Sequence, residues 1–484
     1  MLDTMLRRPT AAVWFFLLLF VLYAATALYS SQVPNDVHSA AHAAWSLATR
    51  GTLELSGAGL PYGLAWSVPV DGGEVSNRFP GVILAGIPLY LLMQPVLPTV
   101  APSSLAAAAS AAVGVTAALV GLRRLVPLRW AWGGAAALGL GTGVWSVGAD
   151  ALWTHGVTTA WLGLVFMGLT LGPLWRPLVL VSTAGAVLTR PHLSVALVVA
   201  ALVLWRRRDP GAAVSLALGV AMGSVMFLVY GRLVFGSWSL MGPYQVYDHT
   251  DAAAAEPTSA LGPVLWRLEN VALALVSPRV GILQSYPTVA LVAWAALLRW
   301  RRRTAPPAVT PPAPAHRSEP LLPTAVALAA ASVAYGGVSL LLTRVSGGYG
   351  FWGNRTLIES VVLAWPLAVW LLATYEGGRL WRGTLALTVA WSVFFHALGA
   401  VSEPVARDGE GVATVASTSV WFWQVPMALA AGDWRRTSGV LLLAAAGAVV
   451  TWRLMRPGRD GPYPASARGR HDGRTVRSVR KGAR

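Results

Sequence analysis

The feature that most constrains this chain is the recurrence of long apolar runs, from "AVWFFLLLFVLYAATALY" at 12–29 to "GVLLLAAAGAVVTWRL" at 439–454. A bilayer's hydrocarbon core, about 30 Å thick, is crossed by about twenty apolar residues in a helix. Within lipid each backbone polar group must find its partner inside the segment, so runs of this length are expected to be helices. The chain therefore reads as an all-α integral membrane protein. Composition agrees, with 55% hydrophobic and only 12% charged residues among 484, far from a soluble globular domain.

About twelve spans are expected. They fall near 11–30, 104–122, 130–148, 155–174, 176–190, 192–205, 211–231, 284–299, 321–343, 356–374, 381–400 and 437–454. With the N-terminus inside, the arginines at 123–124, 206–208 and 301–303 and the basic C-terminal tail collect on the cytoplasmic side, as the positive-inside rule requires. Both termini are then cytoplasmic. The formal charge of +17 is explained by topology, and no nucleic-acid partner is expected. "ATA" at 25–27 resembles a signal-peptide cleavage site, but the preceding apolar run is longer than usual and reads as an anchor. Cysteine is absent, which excludes disulfides, thiolate metal sites and a thiol nucleophile.

The segment 79–98, "FPGVILAGIPLYLLMQPVLP", is apolar but holds four prolines. Counting it as a span would put the arginines at 206–208 outside, so it is expected to lie along the outer interface within a first outer loop, 31–103. The expected division is a core over 1–302, a Pro/Ala-rich linker at 303–320, a four-helix part at 321–454 and a basic disordered tail at 455–484 that leans on anionic lipid. The spans 176–190 and 192–205 are short for a full crossing and suit a recessed site.

Unusual polar residues at span ends sort mostly to the outer face. They include Asp36, His38 and His42, then Asn77 and Arg78 in "SNRFPG", Asp150 and His155 in "ADALWTHG", and Arg190 and His192 in "TRPH". Tyr244, Arg279, Arg344, Asn354, Arg355 and Glu359 follow. An ionised group at membrane depth costs at least about 2.5–3.5 kcal/mol, so such residues normally face a cavity or a partner. For any one of them, snorkelling to headgroups or helix capping is the plainer explanation. As a set, arginine forks beside apolar helices suit the phosphate of a membrane-embedded lipid. A carboxylate at the outer surface can then serve as a general base. The opening "NDVHSAAHAAWSLATRG" reads as a helix with Asp36 at its entrance, where the residue can equally act as N-cap, and with Ala40, Ala44 and Leu47 on an apolar face. Asp36, His38, Asp150 and His155 are metal-ligand types, but D-x-H lacks a second tight pair, so no metal or other cofactor is expected. P-loop, G-x-S-x-G and H-E-x-x-H motifs are absent.

The order of these features resembles the polytopic GT-C glycosyltransferases, the superfamily of protein O-mannosyltransferases and the lipid A aminoarabinose transferase. In that family an acidic residue opens the first outer loop and a proline-containing juxtamembrane segment follows. Asp36, with Leu47 and Gly51 downstream, stands in the place of the acid, and "NRFPGVILAGIPLY" resembles the segment, with Arg78 as its basic residue. "WTHGVTTAW", "LTRPHLSVAL", "SPRVGILQSYP" and "GGYGFWGNRTLIESVVLAWPL" are similar to stretches in bacterial relatives. Unlike many relatives, the chain has no second acid beside Asp36, and its last outer region, 401–436, is small.

The resemblance implies a transferase of the cytoplasmic membrane acting on its outer face. It would move a hexosyl or pentosyl unit from a polyprenyl-phosphate donor to a glycan, lipid or protein acceptor. Asp36 would be the catalytic base and Arg78, Arg279 and Arg355 the donor-phosphate residues. His38, Asn77, Asp150, His155, Arg190, His192, Tyr244, Arg344 and Asn354 would line the cavity. Two other functions fit the same features: a non-enzymatic transporter or assembly subunit for lipid-linked glycans, and an O-antigen ligase or polymerase using diphosphate donors.

Overall fold

The computed structural model describes residues 9–29, 35–56, 67–238, 262–276, 281–304, 321–342, 355–375, 377–401, 445–447 and 449. They form a mostly helical protein. Helix α1 (Pro9–Thr26) leads to α2 (Asn35–Arg50), a short antiparallel hairpin of β1 (Ser67–Val70) and β2 (Gly73–Ser76), and α3 (Pro80–Met93). Next come α4 (Ala101–Leu125), α5 (Leu128–Leu140), a π-helical turn (Val144–Gly148) and α6 (Thr154–Leu171). They are followed by α7 (Arg176–Thr189), α8 (Leu193–Arg206), α9 (Pro210–Phe235) and α10 (Gly262–Val276). The remainder is α11 (Ile282–Ser285), α12 (Thr288–Thr304), α13 (Leu322–Leu342), α14 (Ile358–Thr374) and α15 (Arg379–Val401).

Four described helices, α4, α6, α9 and α13, are long and apolar enough to cross a membrane, and α1, α3, α8 and α14 are shorter apolar helices. Helices α7 and α8 have 14 residues each, about 21 Å at 1.5 Å per residue, well short of a bilayer core. The expected span at 284–299 is divided into α11 and α12, and that at 130–148 ends in the π-helical turn. Of the expected span at 437–454, only residues 445–447 and 449 are described, all helical. Residues 305–320, 402–444 and 450–484, which hold most of the linker, the last outer region and the tail, lie outside the described residues.

Small residues set the packing. Gly114 on α4 and Gly163 on α6 face each other's helix so closely that a Cβ on either would run into backbone carbonyl groups. Glycine there lets two apolar helices touch along their backbones, the usual interface chemistry within a membrane. Tyr23 on α1 donates to the Gly139 carbonyl of α5 at 2.8 Å, and Trp365 on α14 donates to the Gly134 carbonyl at 2.9 Å. One core cluster runs from Leu19 on α1 through α4–α9 to Ala400 on α15, so the segments before and after the Pro/Ala stretch share one interior.

Helix α3 shows how 79–98 behaves. Its 14 residues run from Pro80 to Met93, and Gln94 caps it in the left-handed conformation at φ 41°. Val82, Ile83 and Tyr90 are buried, whereas Leu84, Leu91, Leu92 and Met93 are exposed. At about 21 Å it is too short to cross a bilayer core by itself. Helix α2 was expected to bury one apolar face, but it is covered more fully, with every residue from Val37 to Ser46 buried. Alanine and serine make this feasible, since Ala44 meets α3 at Gly86, where a Cβ would lie 2.9 Å from that of Ala44.

Candidate functional site

Contacts between helix ends gather the polar residues at one end of the bundle, starting from α2. Asp36 is its second residue, and the Asp36 side chain lies outside what the structure describes. One turn on, Ser39 shares a 2.7 Å hydroxyl hydrogen bond with Ser76 at the end of β2. The next residues are Asn77, fully buried, and Arg78, whose Nε donates to Asn77 Oδ1 at 3.0 Å. The Ser76 hydroxyl also accepts from the Arg78 backbone N–H at 3.2 Å, so the hairpin holds this turn from two sides.

From there the chain enters α3, and the turn is pressed against the end of α7. Phe79 packs on Leu188 and Phe227. Gly81 abuts Thr189 so tightly that a Cβ would lie 2.6 Å from the Thr189 nitrogen. Only glycine permits this approach, which puts the turn bearing Arg78 beside the turn bearing Arg190.

Arg190 is the hub of a buried network. Its Nε donates to Thr154 Oγ1 at 3.0 Å, Nη1 contacts the Tyr335 hydroxyl and lies 3.2 Å from Glu359 Oε2, and Nη2 stands 3.5 Å from His155 Nε2. His155 Nδ1 lies 2.8 Å from Glu359 Oε1, and the Tyr335 hydroxyl donates to Oε2 at 3.1 Å. His192 stacks on Tyr335 with centroids 5.2 Å apart and reaches its hydroxyl at 3.2 Å. The Arg355 guanidinium stands 6.0 Å from the ring of Trp153, next in sequence to Thr154, so Arg190 and Arg355 approach the same segment from two elements.

Asp150 is buried after the π-helical turn, and its carbonyl accepts from Leu28 beyond the end of α1 at 2.8 Å. His38 and His42, one turn apart on α2, are both buried with rings 5.4 Å apart. Burial, with His38 alongside, pushes the His42 imidazole down to about 4. At the opposite end of the bundle, Arg176 pairs with Asp209 at 2.8 Å, and Arg299 lies 4.4 Å over the ring of Trp370.

Of the residues singled out from sequence, the structure thus connects Asn77, Arg78, His155, Arg190, His192 and Arg355 through contiguous elements, with the helix that carries Asp36 and His38 and the turn that carries Asp150 adjoining. Tyr244, Arg279, Arg344 and Asn354 lie outside the described residues. Thr154 and Tyr335 escaped the sequence reading, and Glu359 was noticed there without a role. Glu359 carried the one available signal, an acid at the head of an apolar run. Among the described residues, no group of three His, Cys, Asp or Glu is placed to hold a metal ion.

The described fold is similar to crystal structures of ArnT from Cupriavidus metallidurans. The structure of that protein bound to undecaprenyl phosphate superposes with a TM-score of 0.50 at 17% identity, covering 93% of this chain and 76% of ArnT. The fold is ArnT-like. The apo form of the same protein gives a TM-score of 0.49 at 18% identity, covering 92% and 75% of the two chains. No protein-family profile and no curated protein sequence matches the chain. At this identity the likeness is one of architecture, and the chemistry must be argued from the chain's own residues.

Proposed function

We propose that this chain is a membrane glycosyltransferase that moves a sugar from a polyprenyl-phosphate donor to a glycan, lipid or protein acceptor. It works at the outer face of the cytoplasmic membrane, with about twelve spans and both termini inside. The observation that carries this reading is the convergence of Arg78, Arg190 and Arg355 beside the helix bearing Asp36, at one end of a GT-C fold. The undecaprenyl phosphate bound to ArnT is a lipid phosphate of the class such arginines suit.

In the proposed reaction an acceptor hydroxyl attacks the anomeric carbon and the bond from that carbon to the phosphate oxygen breaks. The hydroxyl proton passes to the Asp36 carboxylate, and the bonding pair leaves with polyprenyl phosphate. Attack opposite the leaving group inverts the anomeric configuration. The arginines act on the charge that grows on the phosphate, and in a site shielded from water such stabilisation is among the larger contributions to rate. Arg78 and Arg355, with Arg279, are assigned to the phosphate. His38, Asn77, Asp150, His155, Arg190 and His192, with Tyr244, Arg344 and Asn354, are assigned to the cavity wall. No metal is invoked.

The test is transfer by purified protein in lipid nanodiscs, with polyprenyl-monophosphate and polyprenyl-diphosphate sugars compared. Product from the monophosphate donor supports the proposal, and product from the diphosphate alone points to a ligase or polymerase. Movement of labelled donor between leaflets without product identifies a transporter.

A further inference from the structure

We propose that Glu359 is a positioning residue of this site, fixing the tautomer of His155 and the aim of Arg190. The inference rests on reading the arginine-rich end as the donor-phosphate site, and it supplies something that reading lacks, a reason for a buried carboxylate in the first turn of α14.

The protons can be counted. Glu359 is 0% exposed, and an ionised carboxylate is an acceptor only. Its Oε1 faces His155 Nδ1 at 2.8 Å, while Oε2 faces the Tyr335 hydroxyl at 3.1 Å and Arg190 Nη1 at 3.2 Å. All three neighbours can donate at once only if His155 carries a proton on Nδ1. Nε2 then holds a lone pair, and it is toward Nε2 that Arg190 Nη2 points, at 3.5 Å. The Tyr335 hydroxyl gives its proton to Glu359 and takes hydrogen bonds from Arg190 and His192. One arrangement of protons therefore suits the three contacts of Glu359 and the approach of Arg190 to His155.

This arrangement has a direction. Glu359 is fully enclosed, whereas the Arg190 side chain is 16% exposed, so a sealed acid holds a side chain that reaches accessible space. Burying a charge for the sake of packing is a poor bargain when apolar residues could fill the same volume. The network also draws together the start of α6, the turn between α7 and α8, and helices α13 and α14, so the aim of Arg190 is set by four elements.

Glu359→Gln retains the shape but replaces one acceptor oxygen with a donor. If the amide oxygen faces His155, its NH2 meets the N–H of Arg190. If the amide is reversed, NH2 meets His155 Nδ1, whose proton must move to Nε2 and oppose Arg190 there. Either way two donors collide and Arg190 shifts.

The experiment combines nitrogen-15 NMR of the His155 ring in nanodisc-embedded protein with donor kinetics on polyprenyl-phosphate sugar. The wild type is expected to show the Nδ1–H tautomer, and E359Q either to move the proton to Nε2 or to keep it while displacing Arg190. E359Q should also raise the donor KM by about tenfold, the loss of one charge-assisted contact, with kcat changed much less. Glu359→Asp, which keeps the carboxylate, should preserve the tautomer and recover most of the donor KM; it also serves if E359Q does not fold. An Nε2–H tautomer in the wild type, or E359Q indistinguishable from wild type in both tautomer and KM, overturns the proposal. Wild-type protein that binds and transfers no polyprenyl-phosphate sugar overturns the donor reading instead, while the NMR still decides the role of Glu359.

Discussion

Asp36 and the arginines divide the proposed chemistry between proton transfer and charge stabilisation, so their variants should fail differently. Asp36→Asn is expected to lower kcat by roughly 10²–10⁴-fold, the usual contribution of a general base, with donor affinity retained. Single-turnover rates set beside equilibrium donor binding would check this. Arg355→Ala removes a charged hydrogen-bond donor, worth about 1.5–3 kcal/mol, and should raise the donor KM by roughly 10–100-fold. Saturation kinetics on the variant measure it. Arg78, His155, Arg190, His192 and Arg355, which the structure brings together, stood out in the sequence because each is a polar residue at the margin of an apolar run, where its cost asks for an explanation. Tyr335 and Glu359 take their meaning from partners that sequence does not place. Tyr335 meets Arg190 across 145 residues, and Glu359 meets His155 across 204.

Helices α2 and α3 frame the arginine-rich end from one side. Gly81→Val should force α3 away from Thr189 and separate the Arg78 turn from Arg190. Such overpacking typically costs about 1–3 kcal/mol, so a lowered Tm should accompany the loss of transfer. Helix α2 carries a pH dependence of its own. The His42 pKa is depressed from 6.5 to about 4 in the fold, so the folded helix disfavours the proton that the unfolded chain accepts. Its contribution is complete above pH 6.5 and is lost as pH falls toward 4, by at most about 3 kcal/mol. Hydrogen-exchange protection at residues 37–50, taken relative to intrinsic exchange at each pH, should therefore fall over that interval, and His42→Gln should flatten the response. The sequence marked α2 and α3 by amphipathic spacing and by the prolines of 79–98. It did not mark the β1–β2 hairpin or α10. Four-residue strands carry too little alternation to register, and the charged residues Arg267 and Glu269 within α10 break up the apolar pattern of a span.

In the whole molecule, the continuous interior matters more than the Pro/Ala stretch that interrupts the chain. Residues of α13, α14 and α15 share one core cluster with α1 and α4–α9, and Ser332 and Ser360 tie α13 to α14 through reciprocal hydrogen bonds to each other's carbonyls at 2.7 and 3.2 Å. A protease site placed within 305–320 and cut after purification should leave the two pieces in a single particle on size-exclusion chromatography. Separation of the pieces would count against the shared interior. The helical membrane architecture was legible from apolar run length, a property local to each segment. Which helix ends meet was not, because glycine contacts such as Gly81 with Thr189 and Gly114 with α6 decide it across the fold. The claim that joins these scales is that the gathered end transfers sugar from a lipid phosphate. Its most direct test is single-turnover transfer from a radiolabelled polyprenyl-monophosphate sugar by the purified chain in nanodiscs, with Asp36→Asn alongside. Inverted product from the wild type, with Asp36→Asn binding donor but forming product at least about a hundredfold more slowly, is the predicted result. Transfer by Asp36→Asn at the wild-type rate would contradict it.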